Sequence, residues 1–210
     1  MYKTIIWDWN GTLLNDIQIS IDATNVLLSD RNLPLLTVER YRNIFGFPVI
    51  DYYAKLGFDF NKEPFAIPAR QYTDLYHNGE KQARLFPGAE EILSLIKAKG
   101  YQQLVLSAME DSKLKKMISK ADISQYFDGI YGIKDDFAKE KVSLGKNVIN
   151  ALDIRPSECL MIGDTLHDAE VAEQCGFDCV LFSGGHVAKH RLEQKSYMVI
   201  DELNHLKKIL

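Results

Sequence analysis

The stretch Ile5-Ile6-Trp7-Asp8-Trp9-Asn10-Gly11-Thr12-Leu13-Leu14 ends an apolar run on a carboxylate and turns at once through glycine. A carboxylate placed there can attack phosphorus as a covalent nucleophile, leaving an acyl phosphate that water cleaves in an easier second step. Gly11 lets the backbone approach an anion closely, and Thr12 offers a hydroxyl to one of its oxygens. Asp and Asn beside Gly also make plain turns after strands, so the segment alone admits both readings.

Three later segments carry groups suited to the same chemistry. Leu104-Val105-Leu106-Ser107 is an apolar run ending in a hydroxyl, and Ala138-Lys139-Glu140-Lys141 supplies lysines. Leu160-Met161-Ile162-Gly163-Asp164-Thr165-Leu166-His167-Asp168 is another apolar run, ending in Gly-Asp with a second Asp four residues on. Asp8 and Asp164 at neighbouring strand ends would need a cation, because paired buried carboxylates are costly without one; oxygen donors favour a hard ion, and Mg2+ is the natural choice. Acids at a helix amino terminus are the plainer reading of Asp164 and Asp168. His167 lies between them in the sequence and is read as a bystander. His186, after Gly184-Gly185, is a candidate contact at the substrate's edge.

The elements that must position these groups follow from periodicity. Apolar residues Ile17, Ile21, Leu27 and Leu28 predict a helix over 16–30, and Thr37 caps a second that breaks at Gly46-Phe47-Pro48. Further helices are predicted over 49–56 and 64–77, so 16–83 reads as a compact, wholly helical insertion. After Pro87-Gly88 the pattern alternates. Helices are predicted at 89–99, 111–120, 142–152 and 169–175, and strands at 103–106, 129–131, 159–162 and 179–182. Alternation of this kind indicates crossover units and a parallel sheet covered on both faces. The expected fold is therefore α/β: a Rossmann-like core formed by 1–15 and 84–210, with a small helical cap domain, 16–83, inserted after the first strand.

Composition sets limits on partners. The chain has 210 residues, 46% hydrophobic and 26% charged, with a net charge of −4. This is an ordinary globular composition, and the charge argues against a broad nucleic-acid surface. No apolar stretch approaches a membrane span and the amino terminus has no leader pattern, so a cytoplasmic protein is expected. Cys159, Cys175 and Cys179 lack metal-ligand spacing and read as small buried hydrophobes.

Taken in order, Asp8-x-Asn10-Gly11-Thr12, Ser107, the lysine stretch and Gly163-Asp164-Thr165-x-x-Asp168 resemble the four motifs of the haloacid dehalogenase superfamily, in its phosphoglycolate phosphatase-like branch. Leu85-Phe86-Pro87-Gly88-Ala89 is similar to that family's return from cap to core. The resemblance implies a Mg2+-dependent phosphatase acting on a small organic phosphate monoester, with Asp8 as nucleophile; the sequence leaves open whether the chain is a monomer or a dimer. Metal ligation would fall to the Asp8 carboxylate, the Asn10 carbonyl and Asp164, with Asp168 behind them. Ser107 would donate to the phosphoryl group. Lys141 would neutralise it, with Lys139 the alternative. The turn Phe45-Gly46-Phe47-Pro48, flanked by Arg42, is the expected cap tip, where Arg42, Phe45 and Phe47 would contact substrate.

Three features depart from the family pattern. Val142 stands where a proline often follows the lysine, and Ala108-Met109 replace polar residues after Ser107. Asn10 stands where the family usually has a second Asp that shuttles the leaving-group proton. An amide cannot do this, which puts at stake roughly 10² to 10⁴ in rate. The rival expectation is a binding or regulatory protein that keeps the metal and phosphate site but turns over little. Phosphonate or haloacid cleavage fits less well, since the turn from Arg42 to Pro48 has no lysine and Asp164 and Asp168 are kept. On this reading Asn10→Asp should leave folding and Mg2+ affinity nearly unchanged and raise turnover tenfold to several hundredfold, on the order of the general acid-base contribution.

Overall fold

A computed structural model describes residues 2–133, 140–194 and 197–210. Strand β1 (Thr4–Trp7) leads through a tight turn into β2 (Leu14–Asn15) and then into four helices: α1 (Ile17–Asp30), α2 (Val38–Ile44), α3 (Val49–Leu56) and α4 (Ala66–Gly79). The chain returns through β3 (Arg84–Leu85), which pairs antiparallel with β2 and so clamps the two ends of the helical excursion together. Alternating elements follow: α5 (Ala89–Ala98), β4 (Gln102–Glu110), α6 (Asp111–Lys120), β5 (Gly129–Ile133), α7 (Glu140–Ala151), β6 (Cys159–Gly163), α8 (Leu166–Cys175), β7 (Asp178–Phe182), α9 (Lys189–Leu192) and β8 (Met198–Ile200). Among the described residues no helix is long and apolar enough to cross a membrane.

The sheet is parallel, in the order β5-β4-β1-β6-β7-β8. Strand β1 is central and its Thr4–Trp7 run is fully buried, as expected for a strand with helices on both faces. The chain builds outward from β1 through β4 and β5, then crosses back to β6 on the other side. That reversal is the topological switch point, where ligands of open α/β sheets collect. Register places the chemistry there: Trp7 pairs with Val105 and with Ile162, so Asp8, Ser107 and Asp164 emerge side by side at the carboxyl edge.

Local signals account for the helix ends. The Thr37 side chain accepts from Arg40 N, and Gly57 ends α3 in the left-handed region at φ 103°. The strand β4 runs four residues past the predicted 103–106 segment, with a register irregularity between Leu106 and Glu110. Helix α8 starts at Leu166 rather than 169, because Thr165 and Asp168 form a reciprocal capping box. The cysteines are free, Cys159 and Cys175 buried and Cys179 half-buried.

Candidate active site

Three carboxylates meet at the sheet edge. Asp8, Asp164 and Asp168 each offer an oxygen within 4.8 Å of the others, and all three are buried. Lys141, on the first turn of α7, is 2% exposed and donates to Asp8 Oδ1 at 2.5 Å and to Asp168 Oδ1 at 2.6 Å. Asp168 Oδ2 accepts from Thr165 N and Oγ1, which pins that carboxylate to the start of α8. Asp164 accepts from Thr12 Oγ1 at 3.2 Å and from His186 N at 2.6 Å.

The electrostatics of this cluster fit a divalent cation. Among the described residues, the buried carboxylates of Asp8, Asp16, Asp164 and Asp168 face two cations, Lys141 and His186. Burial pushes Asp8 up to about 6, with Asp168 adding to the effect and Lys141 opposing it. Burial likewise pushes Asp164 up to about 8, against the attraction of His186. Asp168 goes the other way: burial disfavours its charge, but Lys141 outweighs this and holds it below the ordinary carboxylate range. Lys141 is disfavoured by burial yet kept charged by Asp168 and Asp8. Two carboxylates left electrically unsatisfied, in an all-oxygen donor set, are what a hard cation such as Mg2+ would relieve.

A second buried network adjoins the first. Asp16 precedes α1 in the N-cap place, yet its carboxylate makes no cap bond. It accepts instead from Gly11 N, Tyr76 Oη and Asn10 Nδ2, and faces His186 Nε2 at 3.2 Å. Asn10 Nδ2 also donates to Tyr76 Oη at 2.8 Å. An ionised Asp16 only accepts, which fixes the amide with its NH2 toward the acid. His186 Nδ1 lies 2.9 Å from Tyr41 Oη. Burial works against the His186 imidazolium, but Asp16 dominates and carries it up to about 9, with smaller help from Asp164 and Asp8.

A folded value raised from 6.5 to about 9 means that this ion pair contributes its full stability below pH 6.5 and loses it as pH rises through about 9. The span corresponds to roughly 3 kcal/mol. Denaturation in chelator should therefore show His186→Gln less stable than wild type at pH 6.5, with the two converging near pH 10. A constant difference across that range would place the stabilisation elsewhere than in the imidazolium.

The cavity is small, about 70 Å³, and its lining includes Asp8, Asn10, Ser107, Lys141, Asp164 and Asp168. Phe45 and Phe47 from the loop after α2 and His186 from the loop after β7 wall it, together with Ala108, Thr165 and His167. Most of the residues picked from the sequence thus converge. Ser107 Oγ accepts from Met109 N at 3.1 Å, so its hydroxyl hydrogen is free to point elsewhere. Lys139 falls outside the described residues.

Arg42 is a correction. It does not line the cavity: Arg42 Nη2 donates to Gly184 O at 2.6 Å, and its carbonyl accepts from Ala188 N and Arg191 Nη1. The side chain expected to bind substrate fastens the helical segment to the loop after β7. Gly11 and Thr12 also stand behind the cavity rather than in it. Gly11 has φ 74°, and a Cβ there would overlap the Asp164 carboxylate and the His186 ring. Thr12 is fully buried, with its hydroxyl on Asp164. Asp16, Tyr76 and Tyr41 were not picked out by sequence reasoning; an Asp just ahead of an amphipathic helix reads as a cap, and neither tyrosine sits in a motif.

The family profile of haloacid dehalogenase-like hydrolases matches residues 5–182. The chain belongs to the haloacid dehalogenase-like hydrolases. A probable phosphatase, IndB, of Dickeya dadantii is 25% identical over 206 residues, spanning 95% of this chain and 89% of that one. The phosphoglycolate phosphatase of Nitrosospira multiformis is 25% identical over 185 residues, covering 83% and 80% respectively. Among solved structures, a haloacid dehalogenase-like hydrolase from Streptococcus pneumoniae superposes with a TM-score of 0.84 at 22% identity, covering 100% of this chain and 99% of that chain. At that identity the likeness speaks for the fold, and the family's reaction at this site has to be argued from its residues.

Proposed function

We propose that this hydrolase is a Mg2+-dependent phosphatase of small organic phosphate monoesters, working through an aspartyl-phosphate on Asp8. The observation that carries the reading is the convergence, at the switch point, of a buried carboxylate, a lysine 2.5 Å from it, and two further buried carboxylates, of which Asp164 is pushed up to about 8 by burial. Asp8, Asp164 and the Asn10 backbone carbonyl would hold the metal, with Asp168 anchoring Lys141 beside it. Bound there, Mg2+ would neutralise phosphoryl oxygens and the acids together.

The chain's own groups divide the work. Asp8 attacks phosphorus in line, and Lys141 and the Ser107 hydroxyl hold the oxygens that gain charge. The leaving oxygen takes its proton from a water molecule in the cavity, Asn10 having none to give, and the alcohol departs toward Phe45 and Phe47, which shield the acyl phosphate from bulk water. Water then attacks the phosphorus of the acyl phosphate, its proton passing to a phosphate oxygen, and the P–O bond to Asp8 breaks to release inorganic phosphate and the free carboxylate. The helical segment serves as the cap domain, with Phe45 and Phe47 setting which alcohols fit. The relatives named as phosphatases support this reading, and the lack of a lysine in the turn from Arg42 to Pro48 counts against phosphonate cleavage.

Steady-state hydrolysis of a panel of small phosphate esters with and without Mg2+ tests the proposal. Titration calorimetry gives its metal half. Asp164→Ala is expected to weaken Mg2+ binding by on the order of a hundredfold, since it deletes one charged oxygen ligand. Equal affinity in the two proteins would remove Asp164 from the ligand set.

A further inference from the structure

Departure of an alcohol requires a proton, and Asn10, two residues past the nucleophile, cannot carry one. Asn10 lines the cavity, and its Nδ2 donates to Asp16 Oδ2 at 2.9 Å and to Tyr76 Oη at 2.8 Å. A side-chain amide does not ionise, so it can bond to a departing oxygen without protonating it. The other polar groups at the cavity are engaged. On the phosphatase reading Asp8 attacks, Asp164 binds the metal and Ser107 holds a phosphoryl oxygen. The Lys141 ammonium donates to Asp8 and Asp168, and Asp168 also accepts from Thr165. His186 has Asp16 on Nε2 and Tyr41 on Nδ1, and His167 Nε2 is buried away from solvent. Among the described residues, then, no side chain at the cavity is left to protonate a leaving oxygen, and water is a poor substitute. A simple alcohol is about as weak an acid as water, at roughly 15.7, whereas a phenol ionises near 10, as tyrosine does. A phenolate can leave without a proton.

The rings around the cavity point to the same class of leaving group. His167, Phe47, Phe45 and His186 all line it, and they touch in series: centroids lie 4.7 Å apart from His167 to Phe47, 5.8 Å from Phe47 to Phe45 and 5.2 Å from Phe45 to His186. A planar aryl group packs against such rings edge-on or offset, with a gain beyond that of its buried area. Resting on the phosphomonoester reading above, we propose that this site takes the phosphate esters of phenols in preference to those of simple alcohols, with the aryl group packed against Phe45 and Phe47. Asp8 forms its bond to phosphorus while the aryl P–O bond breaks. The electron pair of that bond stays on the phenolate oxygen, which takes its proton from bulk water after release. Asn10 thereby determines specificity by what it cannot supply.

The test compares kcat/KM for 4-nitrophenyl, phenyl and benzyl phosphate on the Mg2+-loaded protein. Slow hydrolysis of the aspartyl-phosphate does not mask the comparison, because kcat/KM covers only the steps up to departure of the leaving group. Benzyl phosphate keeps the aromatic ring but leaves as a basic alkoxide, so its gap from phenyl phosphate reads the demand for a proton. Phenyl phosphate is expected to exceed it by about 10²-fold or more, the contribution of the missing acid, with 4-nitrophenyl phosphate faster still. In the double variant Asn10→Asp with Asp16→Asn, which restores an acid, the gap should fall to about tenfold or below. Should that variant not fold, the wild-type series decides. Ring packing is read separately by calorimetry: phenylphosphonate, which has no ester bond, should bind about threefold or more tightly than cyclohexylphosphonate, and Phe47→Leu should erase the difference. The proposal is overturned if benzyl phosphate comes within tenfold of phenyl phosphate in wild type, if the gap is undiminished in a folded double variant, or if cyclohexylphosphonate binds as tightly as phenylphosphonate. Rapid hydrolysis of benzyl phosphate sinks this inference and leaves the phosphatase reading standing, whereas no turnover of any of the three esters sinks both.

Discussion

Asp8→Asn is expected to lower turnover of small phosphate esters by about 10⁴-fold or more, while making the metal-free protein roughly 1–3 kcal/mol more stable. The loss of turnover follows from removing the group proposed to attack phosphorus. The gain in stability follows from what burial does to that group. Its folded value, about 6, stands above the ordinary 3.8, so the fold prefers the neutral side chain. Stability tied to Asp8 is greatest at low pH and declines as pH rises through about 6, where the buried carboxylate must take its charge. Asparagine stays neutral at every pH and escapes that decline.

Lys141 does not reverse the sign, because Asp168 Oδ1 still accepts from it at 2.6 Å. Chemical denaturation in chelator at pH 7.5, paired with steady-state assay, measures both effects. A variant less stable than wild type by more than about 1 kcal/mol would mean that the Lys141 to Asp8 ion pair outweighs desolvation. The expected combination is that of a residue kept for chemistry at the expense of the fold.

Much of this site is legible in the sequence because buried parallel strands are unbroken apolar runs, so the polar residue that ends each one stands out. Asp8, Ser107 and Asp164 are visible for that reason, and register alone brings them together. The helical excursion is visible through its 3.6-residue period and its Thr37 and Gly57 ends. Elements of two or three residues, β2, β3 and β8, are too short for any period to register, although β2 and β3 close the excursion.

Contacts that depend on backbone far along the chain are equally silent. Arg42 looks like a free cation near a cap tip, and nothing local reveals that the Gly184 carbonyl will take it. Asp16 looks like a helix cap, and its actual partners lie 60 residues away at Tyr76 and 170 away at His186. The sequence exposes which groups can do chemistry; it hides which polar groups hold one another in place, since that is decided by tertiary geometry.

The change most altered by the structure is Asn10→Asp. Read from sequence, it restores a missing proton-transfer acid at no cost to folding. In the folded protein Asn10 Nδ2 donates to the buried Asp16 Oδ2 at 2.9 Å, so the single substitution sets two carboxylates against each other. Like-charged acids that close cannot both ionise, and losing the amide donor also strips Asp16 of a bond. Asn10→Asp is therefore expected to destabilise the protein by about 2–4 kcal/mol at pH 7.5, with little gain in turnover.

The exchange Asn10→Asp with Asp16→Asn reverses donor and acceptor and keeps one carboxylate in the pair. It restores the amide-to-carboxylate bond but takes the charge from beside His186, so the double variant should stay less stable than wild type while losing less than the two single variants together, with a coupling energy of about 2 kcal/mol or more in the double-mutant cycle. With an acid now facing the cavity where Asn10 does, turnover should rise on the order of tenfold to a hundredfold, part of the usual general acid-base contribution. Deamidation of the Asn10-Gly11 pair would mimic the single variant, but Gly11 N, the atom that must attack, donates to Leu14 O and Asp16 Oδ1. Mass spectrometry of the peptide should accordingly find the amide intact in fresh wild-type protein. Additive stabilities in the cycle would show that Asn10 and Asp16 act independently, and a double variant no faster than wild type would show that position 10 is not where the proton is handled.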